Sequence, residues 1–388
     1  MTTRALSLRR WLAATCCMAT AIAISAQTQT QVSQERMTEI YDAVKTPYKY
    51  GLVVAPDRND RKYDCPTVFR EGDEWFMTYV CYNGKGGTDG RGYETWLATS
   101  HDLLHWQTLG RILAFPDGET WDANQRGGFP ALIDMEWGGS YRMGSYKGKH
   151  WMTYIGGPGK GYEAVNAPLS IGIASTDDDI TKAHQWHTLS RPLMSYDDKD
   201  AQWWEYMTQY KSTIYEMDES LLGYPFVMFY NAGGKDDTHP KGERIGIALS
   251  KNMKKWKRYE GNPVFAHDTD GTITGDAQIV RMGDTFVMFY FSAYNPTREY
   301  NAYNTFAASY DLVNWTDWNG DDLIVPPSLT TRCLPIRVTW SIMAGQSIIS
   351  IALSTTTASA ASLSPRVSPW ERARQHSPRP SLRVTGGR

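Results

Sequence analysis

The sequence predicts an all-β fold, a five-bladed β-propeller with four blades intact and a fifth lost to a reading-frame shift. Three observations predict it: a repeated turn, an aromatic hairpin before each copy, and a break in character near residue 327. The turn runs Ala98-Thr-Ser100-His-Asp102-Leu-Leu-His-Trp106. It returns with the same spacing from Ala248 through Ser250 and Asn252 to Trp256, and from Ala307 through Ser309 and Asp311 to Trp315. A looser copy extends from Ile173 through Ser175 and Asp177 to Trp186. Each reads as a strand ending on small residues, a polar turn, and a tryptophan opening the next strand. The serines Ser100, Ser175, Ser250 and Ser309 lie 59 to 75 residues apart. Four strands in each such interval describe propeller blades, and no helical period of comparable length competes.

The hairpins justify the blades one by one. Thr67-Val-Phe69 turns at Gly72-Asp73 into Trp75-Phe-Met-Thr-Tyr-Val80, and Ala131-Leu-Ile133 leads through a longer loop to His150-Trp-Met-Thr-Tyr-Ile155. Ser212-Thr-Ile-Tyr215 precedes Pro225-Phe-Val-Met-Phe-Tyr230. Gln278-Ile-Val280 turns at Gly283-Asp284 into Thr285-Phe-Val-Met-Phe-Tyr290. Turn residues between short alternating strands mean antiparallel sheet.

Composition limits the function. The chain has 388 residues, with 15 Trp, 23 Tyr and a formal net charge of −2. A near-neutral chain is a poor partner for nucleic acid or an anionic membrane. The aromatic rings serve packing between sheets, and some are available to stack on sugar rings in a cleft. Residues 1–26 read as a secretory signal: Arg4, Arg9 and Arg10 precede an apolar stretch from Trp11 to Ser25 and a small-residue cleavage site at Ala26. No later stretch is apolar enough to span a membrane. A periplasmic or extracellular protein is expected, with residues 27–326 as the propeller domain. There Cys65 and Cys81 flank the first hairpin turn, and a cross-strand disulfide and two reduced thiols are both open.

After Pro326 the character changes, and residues 355–388 are rich in Ser, Thr, Ala, Arg and Pro. Four blades and a fragment leave an exposed sheet edge, which propellers normally close. The genetic code supplies a test. Joining the third base of each codon from about Pro327 to the first two of the next permits Ala-His-Lys-Ser-Asp-Val-Val over Leu334 to Trp340. It permits Val-Tyr-His-Gly-Gly-Thr-Val-Tyr-His-Phe-Tyr-Cys over Trp340 to Ala352, and Gln-Arg-Gly-Ile-Ala further on, between Ala358 and Glu371. An alternating strand, a glycine turn, an aromatic strand and the Gly-Ile-Ala of Gly246 to Ala248 make up the missing blade. Residues 327–388 are therefore read as an out-of-frame, disordered tail, a hypothesis that resequencing without a frame disruption would end.

In a propeller the first strand of each blade lines the central channel, so polar residues starting those strands meet at one end. Asp64 precedes Cys65-Pro66-Thr67, and Asp276 takes the equivalent place before Ala277. Lys211 precedes Ser212, with Gln209 and Glu205 upstream. Trp121-Asp-Ala-Asn124-Gln-Arg126 leads into the strand of blade two. Carboxylates recurring at one blade position suit glycoside hydrolysis, in which one deprotonates water while another acid protonates the leaving oxygen. An Asp before a strand also caps turns; Pro66 and the blade start favour the channel wall for Asp64. Asn124, Arg126, Gln209 and Lys211 are candidate binders of hydroxyl or carboxylate groups, the two cations serving equally to neutralise the channel acids. Trp121 and Trp204 are candidates for stacking on sugar or for rim packing.

Asp64-Cys-Pro-Thr-Val-Phe-x-Glu-Gly-Asp-x-Trp-Phe resembles the opening blade of five-bladed glycosidases of glycoside hydrolase family 43 and the related family 117. The resemblance covers about residues 45–326 in architecture and the Asp64 region in motif. It implies that Asp64 is the catalytic base and that the acid is a Glu entering blade three, for which Glu205 is the nearest counterpart, though without the usual Gly-Pro after it. A family 117-like enzyme would instead use a His, which the Ala-His-Lys of the restored frame would supply. Asp276 by blade position and Glu205 by analogy thus share the second role.

The expected activity is an exo-acting, inverting hydrolysis of plant or algal polysaccharide side chains, with an oligo- or polysaccharide as the partner. An inverting phosphorylase, as in family 130, would need a phosphate cluster that Arg126, Lys211 and Arg244 are too dispersed to form. A sugar-binding or inert propeller gains weight from the missing blade. No cofactor is expected: no ligand spacing supports a structural Ca²⁺ in the channel, and the histidines show no zinc-like spacing. The sequence carries no sign of an oligomeric state.

Overall fold

Each alternating stretch becomes one strand of a four-stranded antiparallel meander. Blade one consists of β1 (Arg61–Glu71), β2 (Glu74–Asn83), β3 (Tyr93–Ser100) and β4 (Gln107–Leu113). Blade two has β5 (Gln125–Pro130), β6 (His150–Gly157), β7 (Ser170–Thr176) and β8 (His187–Thr188). Blade three has β9 (Thr208–Glu216), β10 (Phe226–Gly234), β11 (Gly242–Ser250) and β12 (Trp256–Arg258). Blade four has β13 (Ile273–Met282), β14 (Thr285–Ala293), β15 (Ala302–Ser309) and β16 (Thr316–Asp317). The computed structural model describes residues 30–45, 53–54, 61–83, 91–161, 168–206, 208–234, 242–325, 337–343 and 346–352. The expected secretory signal and most of the residues after 326 lie outside these.

The sheets stack as successive propeller blades because both faces of each are apolar. The first strand of a blade packs on the middle strands of the blade before it: β5 on β2 and β3, β9 on β6 and β7, β13 on β10 and β11. Phe76 and Leu97 meet Met152 and Tyr154 between blades one and two. Ile171 and Ile173 meet Ile214 and Met228 at the next junction, and Phe229 and Ile247 meet Ile279 and Met288 at the third. Burying surfaces of this kind at about 25 cal/mol per Å² is the main force closing the stack.

The repeated turn has one physical cause in its three close copies. The Ser100 hydroxyl accepts the N–H groups of Asp102 and Leu103, and Asp102 Oδ1 accepts those of Leu104 and His105. Leu103, with φ 63°, is left-handed and wholly buried, and the Trp106 indole donates to its carbonyl. Ser309, Asp311, Leu312 and Trp315 repeat every one of these features. Asn252 and Met253 take the corresponding places in blade three.

A second repeat was not anticipated. The middle of each second strand carries a buried tyrosine, Tyr79, Tyr154, Tyr230 and Tyr290, whose hydroxyl meets Thr108, Asp122, Glu205 and Asp317 respectively. Burial pushes all four phenols above their ordinary pKa, helped in the last three by the adjacent carboxylate.

Two further elements shape the ring. The long β5–β6 connection crosses the floor of the channel, at the end where the inner strands finish. Arg70 N–H donates to Tyr141 O at 2.8 Å, Leu132 N–H to Ile214 O at 2.8 Å and Trp137 N–H to Arg281 O at 2.9 Å, so this one segment is hydrogen-bonded to blades one, three and four. The second is the helix α1 (Gln34–Val44), which the sequence reading did not foresee. Ser33 caps it by accepting Arg36 N–H, and Met37, Ile40 and Val44 form its buried face. That face lies on Val287, Phe289, Phe306 and Ala308, the side of blade four that points away from blade three. A two-stranded hairpin, β17 (Arg337–Met343) and β18 (Gln346–Ala352), rests beside β1. Regular backbone therefore occurs inside the stretch expected to be a disordered tail. Among the described residues no helix is long and apolar enough to cross a membrane.

Candidate active site

The starts of the inner strands come together at one end of the ring, where parallel bridges join Leu169 to Thr208 and Gly242 to Thr272. Three inner strands bulge there. Asp64 pairs with Val80 and Thr67 with Thr78, so Cys65 and Pro66 jointly oppose Tyr79. Tyr210 and Lys211 likewise oppose Asn231, and Asp276 and Ala277 oppose Tyr290. Cys65 and Asp276 are left-handed, with φ of 49° and 61°. Such backbone costs roughly 1–2 kcal/mol for a residue with a Cβ and tends to gather where a side chain must be re-aimed.

Asp64 is buried, and its Oδ1 accepts the N–H of Cys65 at 2.8 Å. When the blades are matched on their strand-two tyrosines, Asp64 is level with Lys211 and Gly275. Asp276 is therefore not at the equivalent place that the sequence suggested. It stands one residue further along, level with Cys65, because Gly275 and not Asp276 pairs at the level of Asp64. Asp276 N–H donates to Asn231 Oδ1 at 3.2 Å. Gly275 is required beside it, since a Cβ there would fall 2.5 Å from Asn231 Nδ2. Lys211 is buried with its ammonium 5.7 Å from the centre of the Phe129 ring, and Cys65, Phe129 and Tyr210 belong to one cluster. The strand starts carrying Asp64 and Lys211 thus converge on the same side chains.

Glu205 has a different setting. Its carboxylate accepts from Arg258 Nε at 2.8 and 2.9 Å, Gln209 Nε2 at 2.8 Å, Gln202 N at 2.9 Å and Tyr230 OH at 3.3 Å. Arg258, itself buried, also reaches Asp198, Asp200 and the Ser195 carbonyl. Burial works against the Arg258 charge, but Glu205 and Asp200 outweigh it and raise the pKa of the guanidinium. With its oxygens taken up by Arg258, Gln209, Gln202 and Tyr230, Glu205 suits an anchor for the 195–206 segment better than a group facing substrate.

The remaining candidates divide. Arg126 pairs with Asp122 at 2.8 Å rather than with a channel acid, and Asp122 is the blade-two counterpart of Glu205. The amide groups of Asn124 and Gln209 donate to Pro158 O and Glu205, respectively. Trp121 is half-buried against Tyr154. Trp204 corrects a prediction: it is 0% exposed, packed on Tyr230, and has no face to offer a sugar. Cys65 and Cys81 are not joined by a disulfide, because β-register puts Cys81 opposite Tyr63.

Three residues at this end escaped the sequence reading. Glu243, at the start of β11, accepts from Asn231 Nδ2 at 3.0 Å and so joins the group around Asp276. Its place on a third strand sets it outside the pattern of acids at the starts of first strands. Trp203 and Tyr206 are 37% and 48% exposed. The Trp203-Trp204 pair was visible in the sequence, but which ring faces out depends on the turn that follows. Among the described residues no cluster of His, Cys, Asp and Glu could hold a metal ion.

The chain is similar to solved structures. One named "Glycoside hydrolase" is 62% identical, with 84% of this chain and 96% of that chain covered and a TM-score of 0.79. Another, a complex of BT0996 and RGII, is 62% identical over 84% and 97%, with a TM-score of 0.77. Zg3597, a family 117 glycoside hydrolase produced by the marine bacterium Zobellia galactanivorans, is 14% identical over 71% and 75%, with a TM-score of 0.51, a likeness of fold alone. No protein-family model matches the chain, and no curated protein does.

Proposed function

The chain belongs to the glycoside hydrolases, and on that premise we propose that it is a secreted, exo-acting, inverting enzyme with Asp64 as general base. The observation that carries the proposal is the buried Asp64 carboxylate at the start of an inner strand, beside a left-handed Cys65 and level with Lys211. In this reading Asp64 takes a proton from a water that attacks the anomeric carbon as the glycosidic C–O bond breaks. A second carboxylic acid delivers a proton to the departing oxygen, and roughly 6.5–9.5 Å between the two carboxyls leaves room for the water. Asp276 is favoured for that acid over Glu205, whose oxygens are taken up by Arg258, Gln209, Gln202 and Tyr230. Lys211 is assigned to substrate oxygens. The likeness to the BT0996 and RGII complex supports an RGII glycan as substrate.

The second reading is that this chain is less active than an intact relative. Among the described residues four four-stranded blades are followed by a two-stranded hairpin, in keeping with a frame shift near residue 327. Both readings are tested by comparing hydrolysis of aryl-furanosides and aryl-pyranosides by this chain, a frame-restored version and its Asp64→Asn variant. Asn keeps an oxygen for the Cys65 N–H, so the expected result is a loss of about 10²–10⁴ in kcat without a drop in melting temperature. Unchanged kcat removes Asp64 from the mechanism. Equal activity with and without frame restoration removes the second reading.

A further inference from the structure

We propose that Trp203 and Tyr206 form an accessory sugar subsite on the rim of blade three, stacking on a second ring of the glycan whose terminal sugar occupies the pit. The proposal rests on the reading of the pit as a glycosidase site and extends it outward. Among the described residues the other exposed large apolar side chains are the scattered Leu109, Leu189 and Val325, whereas these two aromatics share one short segment at the end of the ring that carries Asp64. Single exposed apolar residues are ordinary, whereas two exposed aromatics three residues apart on one hydrogen-bonded segment offer ring surface to a ligand.

The support is densely hydrogen-bonded. Arg258 ties the segment at Ser195 O, Asp198, Asp200 and Glu205, with distances of 2.7 to 3.1 Å. Gln202 N–H closes onto Glu205 at 2.9 Å, and Tyr206 N–H donates to Gly233 O at 2.7 Å. The Trp203 ring is braced separately: the Arg244 guanidinium, 2% exposed, lies 4.9 Å from its centre and is held by Asp268 at 3.4 Å. A ring positioned in this way loses little freedom on binding, which is where stacking affinity is usually spent. The face of an aromatic ring is electron-rich and attracts the partly positive C–H groups of a pyranose or furanose. Stacking reads no particular hydroxyl pattern, so this subsite adds affinity for chain length rather than for one sugar.

The test is calorimetric titration of the full-length protein with methyl monoglycosides and with oligosaccharides of two to six sugars released from RGII. Affinity is expected to rise about tenfold between the monoglycosides and the longer ligands. Trp203→Ala and Tyr206→Ala should each reduce that gain while leaving monoglycoside affinity alone, and Trp203→Phe, which retains a ring, should keep most of it. A length-dependent gain that survives both alanine variants overturns the subsite and leaves the pit reading intact. Failure of the unaltered protein to bind any of these glycans overturns both.

Discussion

Replacing Arg258 by Met separates two roles for Glu205. The arginine is buried, and Glu205 is more so, its side chain wholly shielded from solvent, whereas the side chains of Asp198 and Asp200 are 39% and 56% exposed. Losing the two exposed contacts should cost little, since screened pairs are worth about 0–1 kcal/mol each. Stranding Glu205 is the larger effect: a buried carboxylate deprived of its cation costs about 3–5 kcal/mol. Arg258→Met should therefore lower unfolding stability by about 3–5 kcal/mol in urea. Adding Glu205→Gln should recover much of this, because a neutral amide needs no cation while still accepting from Gln209 and Gln202. A double-mutant cycle by urea denaturation measures the coupling. The anchor assignment fails if Glu205→Gln costs the same with and without Arg258, or if it abolishes turnover at unchanged stability, as expected of a catalytic acid.

Other outcomes follow from features already described. Tyr79, Tyr154, Tyr230 and Tyr290 have pKa values raised by burial, so above about pH 10 the unfolded chain has released phenolic protons that the folded chain retains. Stability is then fully present below pH 10 and falls as pH rises beyond it, by about 1.4 kcal/mol per unit for each tyrosine, a slope that denaturation at stepped alkaline pH measures. Gly172→Ala should destabilise by about 1–3 kcal/mol, because its Cβ would fall 2.2 Å from the Tyr154 ring; a melt without a downward shift contradicts this. Ile40→Ala should cost about 2–5 kcal/mol, since Ile40 is 1% exposed between α1 and blade four, and thermal unfolding shows whether the helix supports the ring.

The blades could be read from the sequence because their causes are local. A serine hydroxyl and an Asp or Asn side chain organise the turn within six residues, and alternation sets which strand faces are buried. Asp64 could be placed on an inner strand for the same reason. Its relation to Asp276 could not, since a bulge shifts the count by one residue and leaves no mark in composition. Trp203 and Trp204 were indistinguishable as letters; burial of one rather than the other follows from Tyr230 and Gly246 lying below the turn. Glu205 could not be recognised as an anchor because its cation lies on β12, 53 residues away in sequence. Helix α1 has a local signal too, a serine cap followed by Met37, Ile40 and Val44 at helical spacing, but it is one short stretch beside a strand pattern repeated four times.

The segment that crosses the floor of the channel has a consequence for the order of assembly. Its bonds to Arg70, Ile214 and Arg281 involve only residues synthesised before the last quarter of the chain. Four sectors are thus lashed together while the final one is still emerging from the ribosome, and what arrives last is asked to complete a circle already holding its curvature. A chain stopped after Val325 should accordingly resist limited proteolysis across its blades, and rapid digestion there would show that the lashing is too weak to hold alone.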